Sequence, residues 1–139
     1  MKPADVALLR IPGRPVMAPD GSILLAVSSP DIGEDQYRGT VLRLRQATGD
    51  GAPAERDPSA SIALSTELTH GPRDSEPVIS PDGRLVVFLR AAETGSAQLY
   101  SMPLDGGEPS KLTDHPLGAG AAIFAPGGHR IAYCAAVPE

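Results

Sequence analysis

The chain has 139 residues, 41% hydrophobic and 21% charged, a balance that suits one folded domain and lies far from the low-hydrophobicity signature of disorder. A net charge of −5, scattered Lys and Arg, no Trp, three Tyr and two Phe exclude a phosphate-neutralising or base-stacking nucleic-acid surface. Apolar runs such as Leu85-Val86-Val87-Phe88-Leu89 fall far short of the roughly 20 residues a membrane helix needs, and the early acid in Met1-Lys2-Pro3-Ala4-Asp5 argues against a secretory leader, so no membrane partner and a cytoplasmic location are expected.

Fifteen Gly and fifteen Pro, clustered between short apolar runs, predict many short strands. Asp5 to Leu9 reads as a lead-in with one helical turn. Pro15 to Val27 then reads as strand, Pro19-Asp20-Gly21 turn and strand, and Val41-Leu42-Arg43-Leu44 as a third strand. Ala47 to Ser61, rich in Gly, Ala, Pro, Asp and Ser, reads as a surface insertion, and Glu67-Leu68-Thr69-His70 as a fourth strand. Gly71 to Glu76 connects to a second hairpin, Pro77 to Leu89, turning at Pro81-Asp82-Gly83. A third strand at Gln98 to Met102, a turn at Asp105-Gly106-Gly107 and a fourth strand at Lys111 to His115 follow. Ala122 to Tyr133 forms a third hairpin, with Gly127 where the other two have Asp.

Each turn has a chemical reason to recur. Pro presets φ near −65° for the first corner, Asp bonds back to the local backbone, and Gly accepts positive φ. The second strand of each hairpin is apolar almost continuously, as expected of a strand covered on both faces. Pro81 to Pro126 is 45 residues, whereas Pro19 to Pro81 is 62, the excess lying mainly in the insertion. Four strands per repeat at this period is β-propeller anatomy. The expected fold is all-β, a partial β-propeller of about two and a half four-stranded antiparallel blades: blade 1 about 13–70, blade 2 about 75–115 and a partial blade 3 about 120–139. Propellers close with four to eight blades, so the chain is expected to be a fragment of one.

The residues offer little chemistry of their own. There is no Gly-x-Ser-x-Gly elbow, and His70, His115 and His129 have no metal-ligand spacing. His70 and His115 fall at nearly equivalent repeat positions and read as outer-turn residues. Asp31, Glu34 and Asp35 lack the ligand alternation of a calcium loop and read as a solvated loop. Gly118-Ala119-Gly120 and Gly127-Gly128 read as turns, and the single Cys134 as a small core residue on a strand. Gly71-Pro72-Arg73-Asp74-Ser75-Glu76 is a connection expected to approach a central channel, with Arg73 or Glu76 engaged in an ion pair inside the loop. No catalytic, cofactor-binding or metal-binding residue is assigned, and no cofactor is expected.

Ser80-Pro81-Asp82-Gly83, Gln98-Leu99-Tyr100, Leu104-Asp105-Gly106-Gly107-Glu108 and Leu112-Thr113-Asp114 together resemble the propeller of the S9 prolyl oligopeptidase family, in its acylaminoacyl-peptidase and dipeptidyl-peptidase branch. Asp31 to Val41, with Tyr37-Arg38, resembles the connection in that family's first blade. Where the family commonly has Trp before the turn, this chain has Met17, Ile79 and Phe124. The resemblance implies an N-terminal propeller that gates a separate α/β-hydrolase domain, absent here, which carries the Ser, Asp and His of a serine peptidase acting on short or N-acylated peptides. The implied partners are that domain and the passing peptide. The alternative is a TolB-like propeller without catalysis that serves as a protein-interaction module.

Overall fold

The structure is a computed structural model and describes residues 3–45 and 65–138. The expected insertion at Ala47 to Ser61 lies outside the described residues.

A short 3-10 helix, Pro3–Leu8, leads in, beginning two residues earlier than the sequence reading. The strands that follow are β1 (Ile11–Pro12), β2 (Val16–Met17), β3 (Ile23–Asp31), β4 (Gln36–Leu44), β5 (Ser65–Glu67), β6 (Arg73–Ile79), β7 (Leu85–Ala91), β8 (Gln98–Pro103), β9 (Ser110–Lys111), β10 (Ala119–Phe124) and β11 (Ile131–Ala135). They form successive antiparallel units. In the first, β1 and β2 both lie on β3, which pairs with β4, which pairs with β5. In the second, β6, β7, β8 and β9 pair in order, and β10 and β11 form the third hairpin. The backbone ladders of the first two units are joined at one parallel pair, Gly39 opposite Arg73. The architecture is that of a partial propeller, nearly all β.

All three predicted turns form. The Gly21, Gly83 and Gly128 amides donate to the carbonyls of Ala18, Ser80 and Ala125, closing four-residue turns, and each of these glycines sits at φ between 73° and 82°. Side chains outside the left-handed region cannot follow the chain there without strain. Asp20 Oδ1 accepts the Ser22 amide (2.9 Å), and Asp82 Oδ1 accepts the Arg84 amide (3.1 Å), as the Pro-Asp-Gly chemistry predicts. The turns also stack from blade to blade: a Cβ on Gly83 would lie 3.0 Å from Pro19 Cδ, and one on Gly128 would lie 3.4 Å from Pro81 Cδ.

The continuous apolar run of β7 is explained by its position between two neighbours. Val86 and Phe88 point into a core with Ala18, Leu24, Ala26, Val41 and Leu68 of the first blade. Val87 and Leu89 point the other way, with Leu99, into a second core with Ala119 and Ala122 of the third. Leu24, Val41, Val86, Phe88 and Leu99 are wholly buried, and each such side chain contributes about 1.5–3 kcal/mol by leaving water.

The sequence reading differs from the structure at several places. The outer strands β5 and β9 stop before the Leu-Thr pairs expected within them. Each Leu amide still bonds to the neighbouring strand, Leu68 to the Val41 carbonyl and Leu112 to the Leu99 carbonyl, both at 2.8 Å. The next rung is then supplied by a side chain, as Thr69 Oγ1 accepts from the Val41 amide (3.0 Å) and Thr113 Oγ1 from the Leu99 amide (2.9 Å). Ala119 and Gly120 begin β10 instead of a turn, because Ala119 pairs with Ala135 ahead of a bulge. Cys134 is exposed, since no strand among the described residues covers its face of β11.

Candidate functional site

The seam between the first and second blades concentrates the charged side chains that the fold partly buries. At the turn side, Arg43 of β4 is buried and makes four contacts, two within its own blade and two that cross the seam. Its Nε donates to Ser22 Oγ (3.2 Å), Nη2 to Asp20 Oδ2 (2.7 Å), and Nη1 to the Leu104 carbonyl (3.0 Å) and Asp105 Oδ1 (3.1 Å). The hydroxyl and amide of Ser22, with Arg43 adding to them, hold the Asp20 carboxyl down at about 2. Arg43 thereby ties the first Pro-Asp-Gly turn to the Asp105-Gly106-Gly107 turn of the next blade.

At the opposite end, Asp74 of β6 is fully buried and takes a two-pronged bond from Arg90 of β7: Nε to Oδ1 at 2.7 Å and Nη2 to Oδ2 at 2.9 Å. Asp74 Oδ2 also accepts the Gly71 amide (3.0 Å). The Arg90 guanidinium lies 5.3 Å from the Phe88 ring centre and 5.2 Å from that of Tyr100, and its bond to Asp74 raises its pKa. The approach is close enough to dictate glycine on the neighbouring blade, because a Cβ at Gly39 would sit 2.5 Å from the Asp74 carbonyl oxygen.

Beside this pair a cleft of about 390 Å³ opens between the blades, lined by β1, β3, β4 and β6. Ile11, Ala26, Val27, Tyr37 and Ala91 give it apolar surface, and Arg14, Arg38, Arg73 and Glu76 give it charge. Arg38 is committed to Asp31 (2.6 Å), which raises the arginine's pKa and lowers the aspartate's. Glu76 adopts φ +49° where β6 bulges between Ser75 and Val78, an uncommon conformation for a side-chain-bearing residue.

The structure places each of the residues that the sequence singled out. Arg73 and Glu76 lie on β6 instead of in a loop, and the expected pair inside Gly71 to Glu76 does not form: Asp74 reaches across to Arg90, and Arg73 bonds the carbonyls of Ala92 (2.5 Å) and Glu93 (3.4 Å). His70 stands beside Glu67 (3.6 Å), and the His115 ring meets the Tyr133 hydroxyl (3.1 Å). Asp31 caps its own turn by accepting the Gly33 and Glu34 amides. Among the described residues no three His, Cys, Asp or Glu side chains come together as a metal site, and no helix is long and apolar enough to cross a membrane. The clamp of Arg43 was not singled out from the sequence; its signal was a charge at the same face of an apolar strand as buried Val41.

No protein-family model matches the chain. It is 35% identical over 119 residues to the uncharacterized peptidase YuxL of Bacillus subtilis, a match covering 84% of this chain but 16% of that protein. Among solved structures, the β-propeller domain of the Trilobed protease from Pyrococcus furiosus matches 91% of the chain with a TM-score of 0.64 at 15% identity, covering 34% of that protein's chain. The acylaminoacyl peptidase of Pyrococcus horikoshii matches 91% with a TM-score of 0.66 at 16% identity, covering 17% of its chain. The fold of the chain is therefore that of the β-propellers carried by S9-type peptidases, and the chain spans only a minor part of each of these three proteins.

Proposed function

We propose that this chain, having the propeller fold of S9-type peptidases, is the propeller part of a serine peptidase that acts on short or N-acylated peptides. The propeller restricts access to, and docks against, an α/β-hydrolase domain of the same polypeptide, which carries the acyl-enzyme chemistry; residues 1–139 contribute no catalytic group. A cytoplasmic setting accompanies this reading. The observation that carries it is the 35% identity to a peptidase along most of the chain, combined with the propeller architecture of peptidases whose remaining length is not represented here. Fold alone would leave chemistry open, and it is the sequence relationship that favours a peptidase.

The test compares the 139-residue chain with the polypeptide encoded by its entire reading frame, each treated with a fluorophosphonate that labels activated serines. Labelling of the longer product alone is expected. Labelling of the 139-residue chain, or of neither, overturns the proposal.

A further inference from the structure

We propose that the cleft between the first two blades is a binding site for a carboxylate carried on an apolar stem. The charges around it are unequal in availability. Asp74 is saturated by Arg90 and the Gly71 amide, and Arg38 and Asp31 are taken up by each other. What lines the cleft without a side-chain partner is Arg14, which is exposed, and Arg73, whose Nη2 reaches only the Ala92 and Glu93 carbonyls. Glu76 is the one carboxylate lining the cleft outside those pairs, so the unneutralised charge is cationic on a chain whose net charge is −5.

Guanidinium groups match carboxylate oxygens in geometry and form the stronger, charge-assisted class of hydrogen bond. The cleft's remaining surface, from Ile11, Ala26, Val27, Tyr37 and Ala91, suits an alkyl or side-chain stem and does not suit a compact, fully hydrated anion. The two walls belong to adjacent blades, tied together by Arg43 bonding to Leu104 and Asp105 at one end and by the Gly39–Asp74 approach beside the cleft, so the site is held in shape before a ligand arrives. The β6 bulge and the left-handed Glu76 set the rim, and such unusual backbone is concentrated at binding sites.

The probe is hexanoate, titrated into the full 139-residue chain labelled with ¹⁵N, with hexanamide and inorganic phosphate as separate arms. Saturable shifts are expected for hexanoate at amides of β1, β4 and β6, with binding at least about tenfold weaker for hexanamide and for phosphate, in keeping with the ~1.4 kcal/mol that each tenfold represents. Arg14→Gln, whose side chain holds no partner that the fold needs, should weaken hexanoate about tenfold. Arg73→Lys should do so while keeping the charge, and Glu76→Gln should tighten it. Arg130→Gln, on the third hairpin, should leave binding unchanged. Equal binding of hexanamide, equal binding of phosphate, or an equal loss with Arg130→Gln each overturns the proposal, as does the absence of saturable shifts in the cleft.

Discussion

Asp20 and Asp74 are both aspartates one step from a strand end or turn, yet only the first was legible from the sequence. The Asp of a Pro-Asp-Gly turn bonds to a backbone amide two residues away, so local chemistry predicts its place. The partner of Asp74 is Arg90, 16 residues on, and the contact of Arg43 with Asp105 spans 62, so nothing local announces either. Asp20 also offers a pH test. Its folded carboxyl sits at about 2, below the ordinary 3.8, because the charged form is held by Ser22 and Arg43. The stability this gives is complete above pH 3.8 and is lost as the pH falls through about 2. Asp82, lowered by Ser80 and the Arg84 amide, likewise loses its share as the pH falls below the ordinary carboxylate value. Thermal midpoints measured between pH 5 and pH 2, values set by that window, should fall less steeply for Asp20→Asn than for the unmodified chain. Parallel curves would mean that the Asp20 charge does not contribute.

Among the strands, β8 and the segment around β9 show how Gln98-Leu99-Tyr100 and Leu112-Thr113-Asp114 act together. Thr113 Oγ1 accepts the Leu99 amide and donates to Gln98 Oε1 (2.8 Å). The same Gln98 oxygen accepts the His115 amide (3.1 Å), and its Nε2 donates to the His115 carbonyl (2.7 Å). A glutamine side chain thus closes the connection that leaves the outer strand, and a threonine hydroxyl replaces the last rung of the ladder. Sequence reading placed these residues on adjacent strands without revealing the side-chain rungs, since a side chain standing in for a carbonyl has no periodic signature. Thr113→Val conserves shape and removes the acceptor, leaving the buried Leu99 amide and Gln98 oxygen short of a partner. It should cost about 1–3 kcal/mol in urea unfolding followed by circular dichroism, and Thr113→Ser should recover most of that. Equal losses for Val and Ser would assign the effect to packing of the methyl group.

At the scale of the whole molecule the repeat was legible because every blade must solve the same problem, covering two sheet faces with a neighbour on each side. The 45-residue offset allows a direct comparison of β7 with β11. Val86, Val87, Phe88 and Leu89 are buried, whereas their counterparts Ile131, Ala132, Tyr133 and Cys134 are half-buried or exposed. The difference lies in context, since β7 has β8 on its far edge and a blade against each face, while β11 has neither a second strand partner nor an outer blade among the described residues. Ile123 of β10 is 65% exposed on the same hairpin. Apolar faces beside an unpaired strand edge template association with another chain. In sedimentation velocity the 139-residue chain should therefore self-associate at roughly micromolar concentrations, the range in which exposed edges and faces act. Ile123→Lys combined with Ala132→Lys, its exposed cross-strand partner, should shift it towards monomer by placing charge on that face. Leu8→Lys, which alters an exposed apolar residue of the lead-in helix instead, should not. Unchanged sedimentation of the double variant would place the association elsewhere, and a monomer at every concentration would show that the third hairpin tolerates water on the face that its counterpart in the second blade buries.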